Sequence, residues 1–168
     1  MKHIHFEVKT DGFYGAYWKC KTPVDITIIA MLGNDPEGYM AKSCAKWLMK
    51  KGVNVLTMSP GKKNYSHHNY PLERIEKAIE WLKNNGNKKI GIVGGSTTGT
   101  LALTAASYFP DITLTMAMTS SDFIWQGFEQ GKKTVVESGL SRGNRCFHIV
   151  ESRCRICRFV ISIPSIGR

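Results

Sequence analysis

The sequence predicts an α/β protein with a mostly parallel sheet, helices on both faces of the sheet and an antiparallel hairpin at the N-terminus. Short apolar runs rich in β-branched residues alternate with segments of helical periodicity. The runs are continuously apolar, as strands covered on both sides by the intervening helices require. The length of 168 residues fits one domain with a substantial core.

The N-terminal segment HIHFEVKTDGFYGAYWKCK predicts two strands around the turn Asp11-Gly12. His3 and His5 alternate with apolar residues and therefore share the polar face of the first strand. Two histidines at such positions can bind a metal ion, but the local sequence offers no third ligand. We expect this face to be solvated.

After the hairpin, strands and helices alternate. Apolar runs predict strands over 25–32, 53–59, 88–95 and 112–119, and helical segments occupy 37–52, 72–86 and 97–109. The second helix has a clear apolar face with 3–4 spacing, formed by Leu72, Ile75, Ile79 and Leu82. The apolar face of the first helix is predicted to be formed by Tyr39, Cys44, Trp47 and Leu48. In such sheets ligands bind beyond the carboxyl ends of the strands, so the loops 33–38, 60–71, 95–98 and 119–128 are expected at one edge.

The charge is unevenly distributed along the chain. The net charge is +10, of which residues 1–131 carry +4 and residues 132–168 carry +6. The basic residues of 132–168 are mostly arginine, whereas those of 1–131 are almost all lysine, and helical or strand periodicity ends near residue 131. We therefore predict a partial α/β domain over 1–131 and an atypical Arg- and Cys-rich tail over 132–168. A shifted reading frame or a truncated gene would explain the change, and a genuine C-terminal extension is the alternative.

Cysteine usage and hydropathy bear on the compartment. The five cysteines are odd in number, and no apolar signal core precedes them. Cys20 and Cys44 are expected to be part-buried small apolar residues. No run is long and apolar enough to span a bilayer, so we expect a cytoplasmic protein without membrane association.

The stretch GIVGGSTTGT, residues 91–100, has the glycine density of a phosphate-binding loop. A P-loop needs Lys and then Ser or Thr after its last glycine, but those positions hold Thr100 and Leu101. The dinucleotide fingerprint is also absent, because Gly94 and Gly95 are adjacent. The stretch therefore does not favour nucleotide binding, and we expect no cofactor.

The same stretch has the properties of a turn that presents a nucleophilic serine. Ser96 lies between a buried strand and a helix, and Gly94 stands two residues before it, as in G-x-S-x-G. Thr98 occupies the position of the second glycine in this pattern, and a glycine, Gly99, follows one residue later. The backbone N–H of Thr97 at the helix N-terminus is a candidate oxyanion donor. The loop after the first parallel strand, LGND, supplies the second candidate, the N–H of Asn34.

Residues 25–128 resemble an α/β-hydrolase, most similar to the C-terminal catalytic domain of the acyl-CoA thioesterase and bile acid-CoA:amino acid N-acyltransferase family. The resemblance is carried by GYMAKSCAKWLMKKGVNVL, by the segment from YPLERIEKAIEWLKNN through GIVGGSTTGT to TLTMAM, and by TSSDF. It implies acyl transfer from a small-molecule thioester or ester through Ser96.

Ser96 needs a histidine base and an acid, and in this fold the acid follows the serine and the histidine follows the acid. Asp122 and His148 have that order, but His148 lies in the atypical tail. His67 and His68 precede the serine and are expected to be solvated. We therefore expect a truncated chain with weak or no activity. The alternative is a non-catalytic hydrolase-fold remnant or a ligand-binding protein.

The remaining polar clusters indicate no second chemistry. Cys146, His148, Cys154 and Cys157 are zinc-ligand types, but their spacing matches no common finger, so no metal is expected. The arginines lack a nucleic-acid module, so no specific nucleic-acid partner is expected. Lys62 and Lys63 could meet CoA phosphates or form a solvated basic loop. Truncation would expose a sheet edge, so we expect self-association through that edge.

Overall fold

The computed structural model describes residues 2–60 and 70–120, together with the backbone of 140–142 and 145–146. The predicted N-terminal hairpin is confirmed. Strands β1 (Ile4–Phe6) and β2 (Gly15–Trp18) pair antiparallel, with Phe6 opposite Gly15. The connection is longer than a tight turn, because the short helix α1 (Val8–Asp11) lies between the strands and ends at Gly12, whose φ is 80°. Val8, predicted to continue the strand, begins this helix.

The alternation predicted for the rest of the chain is also observed, with ends that differ by at most two residues. One short strand, Tyr70–Pro71, forms in the segment 60–71 that was predicted to be a loop. The elements are β3 (Ile26–Met31), α2 (Tyr39–Lys50), β4 (Asn54–Met58), β5 (Tyr70–Pro71), α3 (Glu73–Asn84), β6 (Lys89–Gly95), α4 (Thr97–Tyr108) and β7 (Ile112–Met118). Two further short strands are β8 (Leu140–Arg142) and β9 (Arg145–Cys146).

Six strands form the main sheet in the order β1-β2-β4-β3-β6-β7. The four strands β4, β3, β6 and β7 are parallel to one another, and β2 joins β4 antiparallel. The sheet is therefore mostly parallel, as predicted. A second, three-stranded sheet has the order β5-β8-β9, with β5 parallel to β8. Apart from these strands the tail lies outside the described residues, so its boundary at residue 131 stays a prediction.

Helices cover both faces of the main sheet. On one face, α3 and α4 pack over β3, β4 and β6, and the buried cluster there includes Ile29, Leu56, Ile92, Ile75 and Leu101. On the other face, α2 packs through Ala45, Cys44 and Leu48 against Ala30 and Val55. The predicted apolar face of α3 is confirmed, since Leu72, Ile75, Ile79 and Leu82 are all buried.

The predicted face of α2 is wrong in part. Tyr39 and Trp47 are exposed, at 86% and 60%, whereas Ala41 and Ala45 are the buried residues of this helix. The small side chains allow the helix to approach the sheet closely. The indole of Trp47 lies beside the ammonium of Lys51, 6.0 Å from the ring centre. Among the described residues, no helix has the length and apolar character needed to cross a bilayer.

Candidate functional site

The carboxyl ends of three neighbouring parallel strands lie at one level of the sheet. Met31, the last residue of β3, pairs with Gly94 of β6, and Gly95 pairs with Met118, the last residue of β7. The loop after β3, the turn after β6 and the segment after β7 therefore leave the sheet side by side. This is the edge at which ligands bind in open α/β sheets.

Ser96 connects β6 to α4 in a backbone conformation that few residues adopt. Its φ is 55° and its ψ is −124°, and it is one of two residues other than glycine with a positive φ in the described chain. Its N–H donates to the carbonyl of Met118 at 2.8 Å, which fixes the turn to the end of β7. The side chain is exposed. A sharp strand-to-helix turn of this kind can present a nucleophile above the sheet edge.

Two glycines allow the turn to close. A Cβ at Gly94 would lie 2.0 Å from the carbonyl oxygen of Thr98, and one at Gly99 would lie 2.8 Å from the Cβ of Ser120. Both distances are too short for any side chain. The helix and the strand therefore approach each other closely at both positions.

Thr98, which departs from the G-x-S-x-G pattern, has a structural role. It is 3% exposed, and its hydroxyl lies 2.6 Å from the carbonyl oxygen of Met31 and 2.8 Å from that of Gly95. It also accepts the N–H of Gly95 at 3.0 Å. The threonine therefore ties the start of α4 to the ends of both β6 and β3, where a glycine would leave these groups without this partner.

The loop 33–38 after β3 carries Asn34 and is held at several points. Gly33 has a φ of 84°, and Asn34 is exposed. The Asp35 carboxylate accepts the N–H of Glu37 at 2.8 Å, and the carbonyl of buried Pro36 lies 2.7 Å from the hydroxyl of Thr57. Asn34 thus follows β3 at the edge where Ser96 follows the neighbouring strand β6.

The predicted polar face of β1 has a partner that the sequence did not reveal. The carboxylate of Glu37 contacts His3 at 2.9 Å and His5 at 2.6 Å, and Glu7 contacts His5 at 3.0 Å. Hydrogen bonds that His5 donates to the carboxylate of Glu7 and, second, to that of Glu37 raise the pKa of His5. Burial opposes ionisation of Glu37, but its hydrogen bonds to His5 and His3 outweigh this and lower its pKa.

The histidines of β1 are too far from Ser96 to act as its base. Four interstrand steps separate β1 from β6, and at about 4.8 Å per step they span about 19 Å. Among the described residues, no group of three or more His, Cys, Asp or Glu side chains is arranged to hold a metal ion.

The other residues with predicted roles lie outside the described part of the chain. They are the triad candidates Asp122 and His148, the histidines His67 and His68, the lysines Lys62 and Lys63, and the cysteines Cys154 and Cys157; Cys146 is described only in its backbone. A cavity of about 400 Å³ lies between the C-terminal ends of α3 and α4, lined by residues that include Lys83, Tyr108 and Asp111. It is at the opposite end of α4 from Ser96.

Comparison with known proteins agrees with this arrangement. The family described as BAAT / Acyl-CoA thioester hydrolase C terminal matches residues 70–159, a range that contains β6, the turn at Ser96 and α4. No curated protein and no solved structure is similar enough to count as a match. The match covers more than half of the chain. The chain therefore belongs to the BAAT / acyl-CoA thioester hydrolase C-terminal family.

Proposed function

We propose that the chain transfers acyl groups from acyl-CoA thioesters or esters through Ser96. The observation that carries this proposal is the conformation of Ser96, with φ 55° and ψ −124°, in an exposed turn between a buried strand and a helix. Backbone strain of this kind costs about 1–3 kcal/mol and is typical of functional sites. Membership of the acyl-CoA thioester hydrolase family supports an acyl substrate.

In the proposed reaction the hydroxyl oxygen of Ser96 attacks the acyl carbonyl, and the thiolate or alkoxide leaves. Before the leaving group departs, the attack places negative charge on the carbonyl oxygen. We propose that it is stabilised by the backbone N–H of Thr97, in the first turn of α4, and by that of Asn34 in the loop after β3. Backbone donors at a helix N-terminus favour such a charge because the helix dipole is positive there.

The proton of the attacking hydroxyl needs an acceptor. A positioned general base contributes about 10²–10⁴-fold to such a step. His3 and His5 lie too far from Ser96 for this role, because four interstrand steps separate their strand from β6. We therefore expect slow acylation of Ser96 and turnover close to background, unless His148 and Asp122 complete the site.

The test is covalent labelling. The chain is incubated with a p-nitrophenyl ester or a short acyl-CoA, and the acylated residue is located by peptide mass spectrometry. We expect the acyl group on Ser96 and its loss in Ser96→Ala. Ser43→Ala is the matched control, since Ser43 is an exposed serine within helix α2. If product is released well above background and this release depends on Ser96, a general base must lie outside the described residues.

The second candidate function is a non-catalytic member of the fold that binds acyl ligands. It is favoured by the lack of a histidine near Ser96 within residues 2–60 and 70–120. Labelling that is spread over surface serines and unchanged by Ser96→Ala, together with saturable binding of acyl-CoA, would support this alternative.

A further inference from the structure

Glu37 joins two parts of the chain that are distant in sequence. It lies in the loop 33–38 between β3 and α2, and one of its carboxylate oxygens contacts Nε2 of His3 and Nδ1 of His5 on β1. The strand β1 is at the edge of the sheet and is separated from β3 by the two strands β2 and β4. A surface carboxylate therefore connects the loop that carries Asn34 to the N-terminal hairpin.

The hydrogen-bond chemistry of this cluster requires a charged His5. Its Nδ1 lies 2.6 Å from Glu37, and its Nε2 lies 3.0 Å from Glu7. Ionised carboxylates only accept hydrogen bonds, so both ring nitrogens must donate, which only the imidazolium can do. His3 donates to the same oxygen of Glu37 through one ring nitrogen, as a neutral imidazole also can.

The same loop is held from its buried side. The hydroxyl of Thr57, on β4, lies 2.7 Å from the carbonyl oxygen of Pro36 and accepts the indole N–H of Trp18 at 2.9 Å. The ring of His3 packs against that indole in a tilted arrangement, with ring centres 4.3 Å apart. The buried Trp18–Thr57–Pro36 chain and the surface cluster meet at the His3–Trp18 contact and hold the loop from both sides.

We propose that Glu37, held by His3 and His5, is a positioning residue that fixes the loop 33–38 and with it the backbone N–H of Asn34. Asn34 lies between Gly33, whose positive φ turns the chain, and Asp35, whose carboxylate accepts the N–H of Glu37. Displacement of Glu37 therefore moves the segment that presents Asn34. The catalytic consequence rests on the proposed function, whereas the restraint on the loop does not.

The restraint depends on pH in a defined direction. The titratable groups around His5 are His3, Glu7 and Glu37, with Asp11 and Tyr14 close by. The pKa of His5 is raised above 6.5. The stabilisation that charged His5 gives to the loop is therefore complete below pH 6.5 and is lost as pH rises through the raised pKa. The pKa of Glu37 is lowered, so the stabilisation that its ionised carboxylate gives to the loop is lost only as pH falls through that lowered pKa.

The restraint is tested by amide hydrogen exchange of residues 33–38, without substrate, at about pH 5.5 and about pH 8.5, on either side of the ordinary pKa of histidine. In Glu37→Gln we expect protection at the lower pH to fall about two- to fivefold, as loss of an exposed ion pair predicts, with a smaller change at the higher pH. His5→Phe keeps the ring and should abolish the pH dependence. Glu80→Gln is the matched control, since Glu80 pairs with Lys77 on α3, and it should leave the loop unchanged.

The catalytic role is read from the rate of Ser96 acylation. Glu37→Gln should slow it about two- to fivefold at the lower pH and less at the higher pH, whereas a general loss of stability would slow it at both. Unchanged exchange in Glu37→Gln overturns the restraint. Loosened exchange with an unchanged acylation rate overturns the positioning role. A wild-type chain that is not acylated at Ser96 contradicts the proposed function, and the exchange data then still decide the restraint.

Discussion

Replacement of Ser96 by glycine and by alanine separates the strain of the turn from the loss of its hydroxyl. At φ 55° and ψ −124°, Ser96 occupies a region open to glycine, where other residues are strained by about 1–3 kcal/mol. Alanine keeps that strain and glycine removes it. We therefore expect Ser96→Gly to be more stable than Ser96→Ala, although neither variant has the hydroxyl.

The expected difference is smaller than the strain itself. Glycine gains more entropy in the unfolded chain than alanine, which lowers its stability by about 0.5–1 kcal/mol. The free energy of unfolding of Ser96→Gly is then expected to exceed that of Ser96→Ala by about 1 kcal/mol. For a chain of this length, each kcal/mol corresponds to a shift in Tm of about 2–4 °C.

The assay is equilibrium unfolding in urea, with the free energies of the two variants compared directly. The matched control is Ser43, which is exposed and lies within α2. There Ser43→Gly should be less stable than Ser43→Ala by about 1 kcal/mol, as in any exposed helix interior. If glycine is also the less stable variant at position 96, the turn is not strained and the reasoning is wrong.

Two further predictions concern the turn and the sheet edge. Thr98→Val should lower the free energy of unfolding by about 1–3 kcal/mol, because the carbonyl of Met31 and the N–H of Gly95 lose a buried partner. Urea unfolding checks this, and Thr98→Ser, which keeps the hydroxyl, should lose about 1 kcal/mol or less. Met116 is 57% exposed on β7, which is one of the two edge strands of the main sheet in the described part of the chain. Met116→Lys should reduce self-association in sedimentation velocity, because a charge on an edge strand opposes pairing between chains. Met40→Lys, at an exposed methionine of α2, should have no such effect.

The order of strands and helices could be predicted because each element has its own local signal. In α3 the apolar residues are large and recur at helical spacing, so pattern and burial agree. In α2 two patterns compete, one of large residues that includes Tyr39 and Trp47, and one formed by Ala41 and Ala45. The distance between helix and sheet decides between them, and that distance is not a local property of the sequence.

In the candidate site too, the features with a local sequence signal could be predicted and the long-range contacts could not. The turn at Ser96 has a local signal, namely glycines and a serine between an apolar strand and a helix. The contacts of Glu37 have none, because more than thirty positions separate it from both His3 and His5. The sequence places His3 and His5 on one polar face, which was expected to be solvated, and their partner comes from a loop that only the sheet topology brings to β1. The base and acid for Ser96 stay predictions, since Asp122 and His148 lie outside the described residues.

The shifted glycine at the turn shows which physical requirement the G-x-S-x-G pattern expresses. The pattern places its second glycine at position 98, but here the tight contact to the end of β7 occurs at Gly99, where an added Cβ would lie 3.3 Å from the carbonyl oxygen of Met118. Position 98 instead faces β3, where a hydroxyl is bound and a glycine would leave polar groups unpaired. The requirement is therefore a lack of side chains where helix and strand touch, at Gly94 and at whichever residue of the first helical turn faces the neighbouring strand. A strict motif search would reject this turn, whereas the positive φ of Ser96 identifies it.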